Sequence, residues 1–66
     1  MNIRQAIQEI FSGEAVDLGN GKIIAIDGGA PVIQDRSGNR VVCDGVDDLV
    51  QQAQRQASVD NWTVRR

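Results

Sequence analysis

Few side chains in this sequence can carry chemistry, and the strongest nucleophile among them is poorly supported. The 66 residues include a single cysteine, Cys43, and neither histidine nor tyrosine. A cysteine attacks as its thiolate, so without an imidazole it needs a lysine, an arginine or a helix N-terminus to lower its pKa. The neighbouring Asp44 acts in the opposite direction. We therefore interpret Cys43 as a half-buried strand residue and predict no catalytic residue and no enzymatic activity.

Metal and cofactor sites are not predicted either. A structural zinc site needs four thiolate or imidazole ligands, which this composition cannot supply. Asp44, Asp47 and Asp48 cluster without the spacing of a calcium loop, and we assign Asp44 as the N-cap of a following helix. The stretch Gly19–Lys22 precedes a strand rather than a helix, so it predicts a hairpin turn and not a phosphate loop. Its Asn20-Gly21 pair predicts a tight turn with two positive φ angles.

Two arginines and a tryptophan remain as candidates for binding. Arg36 and Arg40 flank a turn and could reach in the same direction, an arrangement that suits phosphates or carboxylates. Exposed, solvated arginines are the alternative interpretation. Trp62 either closes the core or serves as an interface anchor or a platform on which a base stacks.

The apolar pattern predicts a single α+β domain over residues 1–66. Ile3, Ile7, Ile10 and Phe11 recur at helical spacing, and a later run does the same. We predict a helix over 2–12, strands over 14–18, 22–27, 32–35 and 40–44, a helix over 46–57 and a closing strand over 61–65. The fold is then a small antiparallel sheet of four to five strands with two helices packed on one face, in the order α-β-β-β-β-α-β.

Size and charge narrow the possible partners. A net charge of −2 argues against non-specific nucleic-acid binding, which needs a basic surface. Neither a membrane span nor a secretory signal is apparent, so we expect a cytoplasmic protein. A core this small usually needs support, and a lone cysteine cannot form an internal disulfide. We therefore expect a homo-oligomer.

Three pieces of the sequence form a distinctive layout: a helix-glycine-strand unit over Met1–Val16, Pro31-Val32-Ile33 before a turn, and the ending Asp60-Asn61-Trp62-Thr63-Val64. This layout resembles the phage anti-Thoeris nucleotide-sponge family. It implies a non-enzymatic counter-defence protein of the host-cell cytoplasm, a homo-oligomer that sequesters a cyclic-ADP-ribose-type signal. It also implies that Asp60 and Trp62 contact that ligand, and the position of Arg36 and Arg40 beside one turn leads us to expect that they contact it as well.

A second function class stays open on the same residues. A small phage protein can instead inhibit a host defence protein, such as a CRISPR effector, by direct contact. An apolar sheet or helix face left uncovered would favour this class. A role as a virion assembly module is a third possibility.

Overall fold

The computed structural model describes residues 1–65 and shows a five-stranded antiparallel sheet with two α-helices. This confirms the predicted fold class and element order. The elements are α1 (Ile3–Phe11), β1 (Ala15–Asp17), β2 (Ile23–Asp27), β3 (Ala30–Gln34), β4 (Arg40–Val42), α2 (Val46–Gln56), a 3₁₀ turn (Val59–Asn61) and β5 (Thr63–Arg65).

The strand order across the sheet is β4-β3-β2-β1-β5. β2 lies in the centre, as its apolar residues on both faces indicate, and β4 and β5 form the two edges. The chain makes neighbouring hairpins from β1 to β4, and β5 then returns to pair with β1, where Val64 is opposite Val16. The pairing of β5 with β1 therefore joins two strands that are far apart in the sequence.

Two hairpin turns use glycine in different ways. Gly28 and Gly29 have φ angles of 61° and 83° and form the two-residue turn between β2 and β3. The prediction of such a tight turn at Asn20-Gly21 is wrong, because positive φ angles occur at Gly19 and Gly21 but not at Asn20. Instead, the Asn20 side-chain oxygen accepts the N–H of Lys22 at 3.0 Å within a longer loop.

The first helix begins as predicted, but one residue of its predicted apolar stripe is exposed. Asn2 is the N-cap and forms a capping box with Gln5, in which each side chain accepts the other's backbone N–H. Ala6 and Ile10 are buried, whereas Phe11 is 68% exposed. The prediction that Phe11 belongs to the buried stripe is therefore wrong, because the buried face of α1 runs along Ala6 and Ile10.

The second helix begins at a different cap from the one predicted. Gly45 is the N-cap and has no capping side chain, so the assignment of Asp44 is wrong. Asp48 from the first turn folds back, and its carboxylate accepts the N–H of Asp44 at 3.0 Å. β4 also ends at Val42, two residues earlier than predicted.

Both helices pack on the same face of the sheet, as the sequence predicts. Ala6 and Ile10 from α1 and Leu49 and Ala53 from α2 share one buried cluster. That cluster is completed by residues from the sheet and the loops: Val16, Leu18, Ile24, Ile33, Cys43 and Trp62. Among residues 1–65, no helix is long and apolar enough to cross a membrane.

Candidate functional site

A polar depression lies between two hairpin turns at one end of the sheet. The β1–β2 loop forms one wall and the β3–β4 turn forms the other, and the space between them measures about 490 Å³. It is open to solvent. Its lining residues are Gly19, Asn20, Gly21, Lys22, Asp35, Arg36 and Ser37. The depression thus contains one of the predicted binding residues, Arg36, and adds Lys22, which is not among the predicted binding residues.

The positive side chains in this depression are open to a ligand, whereas the negative one is hydrogen-bonded within its own turn. Lys22 and Arg36 are positive and Asp35 is negative, which leaves a net charge of 2 − 1 = +1. The Asp35 carboxylate accepts the backbone N–H of Asn39 (2.9 Å), its side-chain amide (3.1 Å) and the N–H of Ser37 (2.9 Å).

These hydrogen bonds, led by the Asn39 backbone N–H, hold the pKa of Asp35 below its usual range, and Lys22 nearby lowers it further. The aspartate is therefore occupied by its own turn. An incoming anion would meet the two cations.

Arg36 and Arg40 diverge in the structure. Arg36 lies over Gly21 at the depression. Arg40 instead forms an ion pair with Asp27, which lies two strands away at the opposite end of β2. The two side chains therefore do not make a shared anion clamp within one chain, and ligand binding by either stays a prediction.

Trp62 belongs to the core. It is 2% exposed, and its indole N–H donates to the carbonyl oxygen of Ala57 at 3.1 Å. A buried ring whose donor is already paired has no face free for a base. Asp60 is exposed in the 3₁₀ turn. The next residue, Asn61, lies against Gly19, because a Cβ added to Gly19 would be 3.0 Å from the Asn61 carbonyl oxygen. Asp60 thus lies near the loop that lines the depression, and its contact with a ligand stays a prediction.

A second candidate surface is the sheet face that no helix covers. Successive side chains along a strand point to opposite faces of the sheet. The residues next in sequence to those that face the helices therefore lie on this outer face. The register places Ile23 and Ala25 of β2 beside Val32 of β3 and Val42 of β4. Val42 is 67% exposed. The sequence signal for this surface was the apolar character of both faces of β2.

The ion pair between Arg40 and Asp27 crosses the same outer face. Val32 lies on the strand between them, and it is 3% exposed although it points away from the helices. We attribute this burial to the Arg40 side chain, whose aliphatic stem must pass over β3 to reach Asp27. The outer face is therefore an apolar surface that one ion pair crosses.

Cys43 lies in the core and is not activated. It is 4% exposed, and burial raises the pKa of its thiol, with Asp48 and Asp44 adding to the effect. Within residues 1–65, no group of three or more His, Cys, Asp or Glu side chains could hold a metal ion. The half-buried strand position expected of this cysteine is thus a fully buried one just beyond β4.

Comparison with known proteins found no matching family model, no matching curated protein and no matching solved structure.

Proposed function

We propose that this protein acts by binding a partner protein through the uncovered face of its sheet. In biological terms this is the inhibitor class of function: a small phage protein in the host-cell cytoplasm that occupies a host defence protein. The observation that carries the proposal is the outer face itself, where the apolar side chains of Ile23, Ala25 and Val42 lie around Val32, which the Arg40 stem covers.

The composition of this face fits a protein partner better than a small molecule. Protein interfaces have an apolar centre within a polar rim, and they are commonly flat. Here the ion pair between Arg40 and Asp27, whose charges neutralise each other, crosses the apolar surface over β3. A matching partner surface would be mainly apolar and would carry polar groups opposite this ion pair. A nucleotide would require a concave site with several converging donors, which this face lacks.

The state of the chemical groups supports binding rather than catalysis. The Cys43 thiol is buried and its raised pKa keeps it protonated. The carboxylates with lowered pKa values, Asp35 and Asp48, are held by hydrogen bonds from their own turn or helix. Groups tied up in this way serve local structure and offer no general acid or base.

A matched pair of charge variants tests the proposal. Ala25→Arg places a cation in the apolar surface, and Gln54→Arg adds the same charge on the exposed side of α2. In bacteria that carry defence systems, the unmodified protein should restore phage plating. Ala25→Arg should abolish that effect while Gln54→Arg retains it, and circular dichroism should show that both variants stay folded. Equal activity of the two folded variants would contradict the proposal.

Sequestration of a small nucleotide is the second candidate, and the polar depression is the observation that favours it. Lys22 and Arg36 face the same space there, and phosphate groups bind such paired cations. Isothermal titration with a panel of cyclic nucleotides tests this function, with Arg36→Gln as the variant that should weaken binding. If no member of the panel gives heat, sequestration is excluded and the protein-binding function is unaffected.

A further inference from the structure

We propose that the β4 edge, Arg40–Val42, pairs with the same strand of a second copy to form a two-fold dimer with a continuous ten-stranded sheet. The inference goes beyond the proposed function, because it concerns the backbone groups at the rim of the sheet. Val42 belongs to both surfaces, and the tests below measure association between copies and not the inhibition of a defence protein. It identifies one surface and one register for the oligomer that the small core favours.

The outward-facing backbone groups of β4 are the first observation. The N–H of Cys43 donates to Pro31 on β3 at 2.9 Å. Backbone orientation alternates along an antiparallel strand, so Val41 also directs its N–H and C=O toward β3. Arg40 and Val42 then direct theirs away from the sheet. These four groups lie at the rim of the sheet, where β4 has no further strand beside it.

The side chains of β4 leave this rim accessible and apolar. Val41 is 49% exposed and Val42 is 67% exposed. Natural sheets usually protect a free edge with a projecting charge, a proline or a bulge. The only charge on β4 is that of Arg40, and its ion pair with Asp27 turns it inward over its own sheet. The opposite edge differs, because Arg65 on β5 is exposed and takes part in no ion pair that the structure shows among residues 1–65.

Two-fold symmetry selects an antiparallel arrangement of the two β4 strands. A two-fold axis perpendicular to a continuous sheet reverses the direction of the strand that it copies, so the start of β4 in one copy lies beside its end in the other. Arg40 begins the strand and Asp44 follows its end. The Arg40 charge does not project at this rim, because it is paired with Asp27 over its own sheet.

The hydrogen-bonding pattern then fixes the register. Arg40 and Val42 supply the outward groups, and the register that places Arg40 opposite Val42 of the second copy is the one in which all four of these groups are paired. This gives two reciprocal hydrogen-bonded pairs, with the two-fold axis passing between the Val41 residues. The two Val41 residues form a pair without direct hydrogen bonds, whose Cα atoms are about 4.5 Å apart. Their half-exposed side chains would cover each other.

Disulfide trapping tests this register directly. In a Cys43→Ala background, Val41→Cys places two thiols across the axis, at a Cα separation close to the range of about 4.4–6.8 Å that a disulfide spans. Val42→Cys is the matched control. Its two thiols are diagonal, with Cα atoms about 8 Å apart, and should not join. We expect mild oxidation to convert Val41→Cys to a covalent dimer much faster than Val42→Cys.

Light scattering and hydrogen exchange complete the test. The unmodified protein should have a mass of 2 × 7.2 = 14.4 kDa at high concentration, and the amides of Arg40 and Val42 should exchange more slowly there than in dilute samples. Val42→Lys would place a charged side chain on the free edge strand and should give a folded monomer. A monomer at every concentration, or equal cross-linking at positions 41 and 42, would overturn the proposal.

Discussion

Replacing Trp62 with phenylalanine is the sharpest test of its position in the core. The indole N–H pairs with the carbonyl of Ala57, and leaving that carbonyl without its partner costs about 1–2 kcal/mol. The missing ring leaves unfilled space in the core, which adds about 1 kcal/mol. We therefore expect the free energy of unfolding to fall by about 2–3 kcal/mol. A 66-residue domain has a total stability of about 3–10 kcal/mol, so the loss is a large fraction.

Thermal and urea unfolding followed by far-ultraviolet circular dichroism measure this loss. For a domain of this size, each kcal/mol corresponds to about 4–8 °C, so the midpoint should fall by about 10–20 °C. The control is Phe11→Leu at a position that is 68% exposed, where the change should stay within about 0.5 kcal/mol. If Trp62→Phe were as stable as the unmodified protein, the indole would not be a core element, and a ligand-stacking role would become the better interpretation.

Three further predictions concern a carboxylate, two glycines and the thiol. Because the pKa of Asp35 is lowered in the fold, its contribution to stability is complete above the ordinary carboxyl pKa of 3.8 and is lost as the pH falls through the lower folded value; Asp35→Asn should flatten this acid limb in urea titrations. Gly19 and Gly38 both have positive φ angles, but only Gly19 faces a close atom, the carbonyl oxygen of Asn61; Gly19→Ala should therefore lower the unfolding midpoint in urea more than Gly38→Ala, and equal losses would contradict the close approach. Cys43 should react with a thiol reagent only at the rate of unfolding, so rapid labelling in native buffer would show that the core is open there.

The sequence predicts the architecture well because its signals are local. The periodicity that predicts the two helices acts over a few residues, and so do the Asn2 cap of α1 and the positive φ of Gly13 just after it. The cap of α2 was missed for a physical reason. Asp48 in the first turn satisfies the N–H of Asp44 from within the helix, and no short motif distinguishes that arrangement from an ordinary aspartate cap.

The candidate sites were less predictable because they depend on contacts across the sheet. Arg36 and Arg40 are four positions apart, yet one lies at the depression and the other reaches Asp27 on a strand that is not its neighbour. That choice depends on the strand order and on the twist of the sheet, which no local pattern contains. Lys22 was likewise not predicted as a binding residue. It lies at the same depression as Arg36 only because the two turns meet in the folded sheet.

The return of β5 to β1 shapes how this chain reaches its native state. The pairing of Val16 with Val64 joins positions 64 − 16 = 48 residues apart, whereas the hairpins from β1 to β4 join near neighbours. Closing a long loop carries the larger entropic cost, so the hairpins should assemble early and the last strand should dock late. Trp62 immediately precedes that strand, so the change in its fluorescence during refolding would time this final docking step alone.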